Sequence, residues 1–214
     1  MKTEQLIDIL STNLAPVSEG RLKKTLLWAL LVGGTAAFFL MLTTVGPRSD
    51  VAGSSFYPGY LALKLLFTLS LVGIGAALLL RLMRPGQDAR KRFAFVLLPF
   101  LIVACAGVVS LRLGEPMAWG RMIFGMQWGT CLLCIPLFAV VPFAALIWAL
   151  RQGAPTNLKR TGAIAGLVAG ALGATAYAFH CPGDSIPFVA IWYGAMVAFC
   201  ALIGAMLGPR LLRW

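Results

Sequence analysis

Acidic side chains and histidine are the scarcest groups in this chain. Only 7 of its 214 residues are Asp or Glu, and His180 is the single histidine. Charged residues make up 12%, about half the ~25% of soluble domains. So little charge excludes a soluble globular surface and a disordered chain alike. Five cysteines, at 105, 131, 134, 181 and 200, are too few for a secreted disulfide scaffold. With one histidine there is no standard zinc-ligand spacing. Internal repeats and low-complexity tracts are missing as well.

What is present is apolar. Hydrophobic residues are 60% of the chain, ~71% with the 23 glycines, against ~45–50% in soluble domains. Mean hydropathy is +0.88. Six stretches are long enough to cross ~30 Å of hydrocarbon, at about 25–45, 60–80, 93–113, 130–150, 160–180 and 187–207. The expected fold is therefore an all-α membrane protein, a six-helix transmembrane bundle. The longest piece outside the spans, residues 1–24, is too short for a core of its own. The first apolar run begins only after residue 24 and is full length, which predicts a signal anchor and no cleaved leader. The chain divides into a cytoplasmic segment, 1–24, and a transmembrane domain, 25–214.

The net charge of +11 reports topology and not nucleic-acid binding. Lys2, Arg21, Lys23, Lys24, Arg81, Arg84, Arg90, Lys91, Arg92, Arg151, Lys159, Arg160, Arg210 and Arg213 fall on one side. Arg48, Arg112 and Arg121 fall on the other. Fourteen against three predicts both termini in the cytoplasm. Lys64 lies inside the second span near the outer side and is expected to snorkel to the interface. No ionisable residue lies near mid-membrane, which argues against a proton-coupled transporter.

Glycines at 162, 166, 170 and 173, and small residues at 194, 198, 204 and 208, predict closely packed fifth and sixth helices. Pro99, Pro136 and Pro142 predict kinks in the third and fourth.

Residues 3–17, TEQLIDILSTNLAPV, place Leu6, Ile9, Leu10 and Leu14 at helical spacing. Ser18-Glu19-Gly20 then reads as a hinge. The helix has two acids and no Lys, Arg or Trp, unlike helices that lie on lipid. An apolar stripe offered to a protein groove fits it better.

Cys131 and Cys134 sit at the outer end of the fourth span, and His180 and Cys181 at the outer end of the fifth. The two spans are antiparallel neighbours, and Cys131 and Cys181 lie at similar depth. Helix axes ~8–10 Å apart let facing thiols pair. The pair can be a staple, a redox switch or, with Cys134 and His180, a weak site for a soft metal ion. Ordinary packing is the alternative, and it is the reading adopted for Cys105 and Cys200, deep in the third and sixth spans.

The segments MKTEQLIDILSTNLAPV, CLLCIP with PFAALIWALRQGAPT, HCPGDS with PFVAIWY, and the closing GAMLGPRLLRW resemble the NrsF family of membrane anti-sigma factors over essentially the full length. The resemblance implies a protein that holds an extracytoplasmic-function type sigma factor at the membrane and releases it under stress. It places sigma contacts at Leu6, Ile9, Leu10 and Leu14, and the family's cysteines at Cys131 and Cys181. Gly183 stands where the family often has an acid, leaving Asp184 as the one carboxylate there. No resident cofactor is implied. Membrane lipids are the other partners, and a homo-oligomer is an open alternative.

A membrane thiol oxidoreductase, passing electrons from Cys131 and Cys134 to a quinone, is the competing reading. It lacks a second outer cysteine pair for relay, since only Cys181 remains on that side. The topology is directly testable. Reporters fused after Arg92 or Trp214 are expected to read cytoplasmic, and one within 114–129 extracytoplasmic. A C-terminal reporter on the outer side would overturn the six-span layout.

Overall fold

The structure is a computed structural model that describes residues 19–48, 57–84, 93–125 and 127–213. Every described element is helical. The long helices are α1 (Glu19–Thr44), α2 (Tyr57–Leu82), α3 (Ala94–Leu113), α5 (Trp128–Leu150), α6 (Leu158–Ala178) and α7 (Ile186–Leu211). A 3-10 turn, Pro116–Ala118, and the short α4, Trp119–Phe124, lie between α3 and α5. The six long helices meet the length and hydropathy required to cross a bilayer. Helix is the form such segments must take, because lipid offers no partner for a free N–H or C=O.

Two boundaries differ from expectation. Glu19 and Gly20, expected in a hinge, are already the first residues of α1. The basic flank Arg21, Lys23 and Lys24 is therefore helical. The sixth span opens with a π-helical turn, Val189–Tyr193, that widens the helix beside Cys181. The N-terminal helix expected over residues 3–17, with Leu6, Ile9, Leu10 and Leu14, lies outside the described residues.

The core is organised around α6, most of which is buried. Its glycines let α7 and α5 come within backbone contact. A Cβ at Gly166 would run into the Cys200 carbonyl, and one at Gly208 would lie 2.5 Å from the Leu158 carbonyl oxygen. Gly173 turns to α5 instead, where a Cβ would lie 2.7 Å from the Ile135 carbonyl oxygen. The small-residue stripe of the sequence is thus divided between two neighbours. On the opposite side of the bundle, α3 turns most of its apolar surface outward, with Leu97, Leu101 and Ile102 all exposed. Cys105 belongs to that outward face, so its expected place inside the packing is corrected. Cys200 is buried against α6 as expected. The rim at the start of α5 holds a cluster of Phe124, Trp128 and Trp192, and Trp is an amphipathic aromatic that favours a membrane interface.

At the opposite end, α5 is tied to three partners. Thr25 Oγ1 donates to Gln152 Oε1 at 3.3 Å. Arg151 Nε donates to the Leu211 carbonyl at 2.7 Å, and the Ala154 N–H to the Met83 carbonyl at 3.1 Å. Along its length α5 also meets α1, where the Cβ position of Gly33 is 2.8 Å from Pro142 Cα.

Overpacking a tight core costs ~1–3 kcal/mol or more. Gly166→Leu has no room against the Cys200 carbonyl and is expected to lower the thermal unfolding midpoint in detergent sharply. Gly20→Ala, in open space, is expected to leave it unchanged.

Candidate functional site

The chemistry of the sequence converges where α5 begins, α6 ends and α7 begins. Cys131 is the fourth residue of α5, and its thiol is fully buried. Cys181 follows the end of α6, where the His180 and Cys181 amides both bond the Tyr177 carbonyl at 3.0 Å. This tight stop turns the chain back under the bundle and buries Cys181 completely. The fold brings Cys131 and Cys181 together as neighbouring free cysteines, not a disulfide. Cys134, one turn deeper, is buried but does not join the pair.

Two tyrosines flank the thiols. Tyr177 comes from α6 and Tyr193 from the π-turn of α7, with ring centroids 6.2 Å apart. Both are fully buried, and neither hydroxyl has a hydrogen bond of ordinary geometry. Tyr177 lies beside Cys131 and Tyr193 beside Cys181. A buried hydroxyl without an oxygen or nitrogen partner is costly, so these two mark the site as chemically unusual.

A charge network holds the loop 179–185 in place. Lys64, on α2, is 1% exposed. Its ammonium donates to the Cys181 carbonyl at 2.9 Å and to Asp184 Oδ1 at 3.2 Å. Arg48 donates to Asp184 Oδ2 at 2.7 Å, and its backbone N–H to the Phe179 carbonyl at 3.2 Å. Lys64 therefore does not snorkel to the interface as the sequence led us to expect. Its counter-charge lies inside the bundle. Ser185 caps α7 through the Phe188 amide and donates to the Met122 carbonyl, which ties the same loop to α4. Gly183 lies against Phe188, where a Cβ would come within 2.6 Å of the ring. The glycine at this position thus suits the packing of Phe188. Removing one partner of a buried ion pair typically costs ~3–5 kcal/mol.

The Cys131 hydrogen bond is the main influence on Cys181. With the Lys64 charge, the Gly183 amide and Tyr193 it outweighs burial and holds the Cys181 thiol below the ordinary thiol range.

The four-ligand metal site considered from the sequence is not assembled. Among the described residues no three His, Cys, Asp or Glu side chains form a group that could hold a metal ion. His180 places its Nδ1 2.9 Å from the Gly46 carbonyl. Gly46 takes a positive φ of 71° there, the left-handed turn that glycine allows, and presents its carbonyl to the ring. Lys64, Asp184, Tyr177 and Tyr193 were missed as site residues. The one signal available was a lone lysine inside an apolar span, which usually marks function. The tyrosines carried no signal apart from their place next to the cysteine motif.

The family model described as "Negative regulator of sigma F" matches residues 10–214. A protein of Azospira oryzae (strain ATCC BAA-33 / DSM 13638 / PS), "Probable anti-sigma-F factor NrsF", is 33% identical over 214 residues, covering all of both chains. The "Anti-sigma-F factor NrsF" of Caulobacter vibrioides (strain NA1000 / CB15N) is 32% identical over 216 residues, again covering both in full. No solved structure matches the chain. The chain belongs to the NrsF family, negative regulators of sigma F, which are regulators and not enzymes.

Proposed function

We propose that this protein holds a sigma factor of the extracytoplasmic-function type at the inner membrane and releases it when Cys131 and Cys181 are modified from the outer side. The anti-sigma part rests on the full-length similarity to relatives named anti-sigma-F factors. The sensing part rests on one observation: the helix that carries Cys131 is also the helix packed on α1. Gly33 of α1 lies against Pro142 of α5, and Thr25 bonds Gln152 at the far end. In this reading α1 leads directly into the cytoplasmic segment 1–24. Its stripe of Leu6, Ile9, Leu10 and Leu14 is the sigma contact, and residues 25–214 are the sensor. The basic asymmetry of the loops supports both termini on the cytoplasmic side.

The chemistry at the thiols balances simply. A hydroperoxide takes two electrons from the pair as a disulfide forms, and it leaves as an alcohol and water. A disulfide shortens the distance between the sulfurs and pulls the outer end of α5 against the loop after α6. Because α6 is locked backbone to backbone with α7, and with α5 where Gly173 meets Ile135 and Ala139, the part of α5 left to respond is its far half, bending at Pro142 beside α1. Moving an equilibrium from 1:99 to 99:1 takes ~5.5 kcal/mol, within reach of a covalent bond at the pair. A soft metal ion taken up by the two thiolates would act in the same direction.

Leu10→Asp tests the contact. It puts an unpaired carboxylate into the stripe, and desolvating one costs several kcal/mol. Pull-down from membranes with a tagged full-length chain is expected to recover a sigma factor with the parent protein and little with Leu10→Asp, at equal membrane insertion. Equal recovery would show that the main contact lies elsewhere.

A further inference from the structure

The helices α2 and α3 touch at one level and part at another. Phe67 and Phe100 meet edge to face, with ring centroids 5.5 Å apart. Nearer the end where α2 stops and α3 starts, a cleft of about 520 Å³ opens between them. Ile74, Ala77, Leu78 and Arg81 line it from one face of α2, at the spacing that stacks side chains along a helix. Phe95, in the first turn of α3, lines the other side. Clefts of ~300–1,000 Å³ are the size that holds a small molecule. This one lies between two membrane-spanning helices, so its occupant comes from the bilayer.

The walls are apolar and the rim is cationic. Among the described residues the Arg81 guanidinium meets no carboxylate, the ion pairs being those of Asp184 with Arg48 and Lys64. No side chain caps α3, so the amides of Ala94 and Phe95 bring the positive end of a 20-residue helix to the same rim. Phe93, the residue before α3, lies under the Arg160 guanidinium, 5.7 Å from its ring centroid, which adds a second cation there. Of the described acids, Glu115 and Asp184 belong to the opposite end of the bundle and Glu19 opens α1. The positive charge at this rim is therefore not answered from within the described chain.

We propose that this cleft binds an anionic phospholipid, with one acyl chain along Ile74, Ala77 and Leu78 against Phe95, and the phosphate on Arg81 and the first amides of α3. Charge complementarity selects this occupant. An apolar partner helix would bury Arg81 without a counter-charge. A free phosphate would leave the apolar walls uncovered. A lipid with a net negative headgroup satisfies both, and a guanidinium suits phosphate through its fork of donors. Basic pockets between spanning helices at the cytoplasmic face are the general form of such sites. The inference is independent of the thiol reading given above.

The test uses the full-length protein in detergent and native mass spectrometry, with phosphatidylglycerol as the probe and phosphatidylcholine of the same acyl chains as the comparison. The parent chain is expected to keep one phosphatidylglycerol at concentrations where phosphatidylcholine is lost. Arg81→Gln is expected to weaken phosphatidylglycerol about fivefold or more, the effect of one basic group at a membrane surface. Ala77→Trp keeps the charge and fills the cleft from an exposed position, and a similar loss is expected. That variant carries the test should Arg81→Gln fail to insert. Arg210→Gln, exposed at the end of α7, is expected to bind like the parent. Inorganic phosphate at millimolar concentration is expected to leave the bound lipid in place. Equal retention of the two lipids, or binding indifferent to either Arg81→Gln or Ala77→Trp, would overturn the proposal. So would an equal loss in Arg210→Gln, which would show attraction to the basic end as a whole, or displacement of the lipid by phosphate alone.

Discussion

A lysine ammonium inside an apolar bundle has to be neutralised where it lies. In this protein the carboxylate that does so belongs to the same short loop as Cys181. The Lys64–Asp184 contact, extended by Arg48, therefore does more than satisfy a buried charge. It draws the loop after α6 down onto α2 and seals Cys181 against Cys131. It also brings a cation next to a thiol. A buried ion pair is weak evidence for stability, because burial costs both partners their hydration. It is better evidence for a place that the fold must hold in one arrangement.

The remainder of the bundle divides into a rigid part and a responsive part. Glycines on α6 and α7 set backbone against backbone, leaving no room for relative displacement at Gly162, Gly166, Gly204 and Gly208. The α5 helix has two prolines and a partner, α1, that touches it at Pro142. In the proposed reading, a change at Cys131 is carried along α5, which Gly173 of α6 grips near Ile135 and α1 meets at Pro142. Helix–helix coupling of this kind needs no long chain of side chains, only one element with two positions.

Much of this was legible in the sequence, and what was not has physical reasons. Hydropathy and length located all six spans, because lipid leaves few other options for such runs. The Cys131–Cys181 pair could be read from depth along two antiparallel helices. Lys64 could not be read correctly, because its partner lies 120 residues away and only tertiary packing brings Asp184 to it. Without that partner, snorkelling was the reasonable expectation. Cys105 was misplaced because α3 is apolar on all sides, so its sequence does not say which face meets lipid. Tyr177 and Tyr193 carried no signal beyond their place near the cysteine motif, and a hydroxyl gains meaning only from what it lacks in the folded chain. His180 sits next to Cys181 in sequence yet turns to Gly46.

The central claim is that the thiol pair controls what the cytoplasmic face holds. Its most direct test is co-sedimentation of the sigma factor with membranes before and after a hydroperoxide. One chain retains only Cys131 and Cys181 of its five cysteines, and the other also has both of these as serine. The sigma factor is expected to leave the first membranes on oxidation and to stay on the second. Equal behaviour of the two, whether both release or both retain, would contradict control by these thiols.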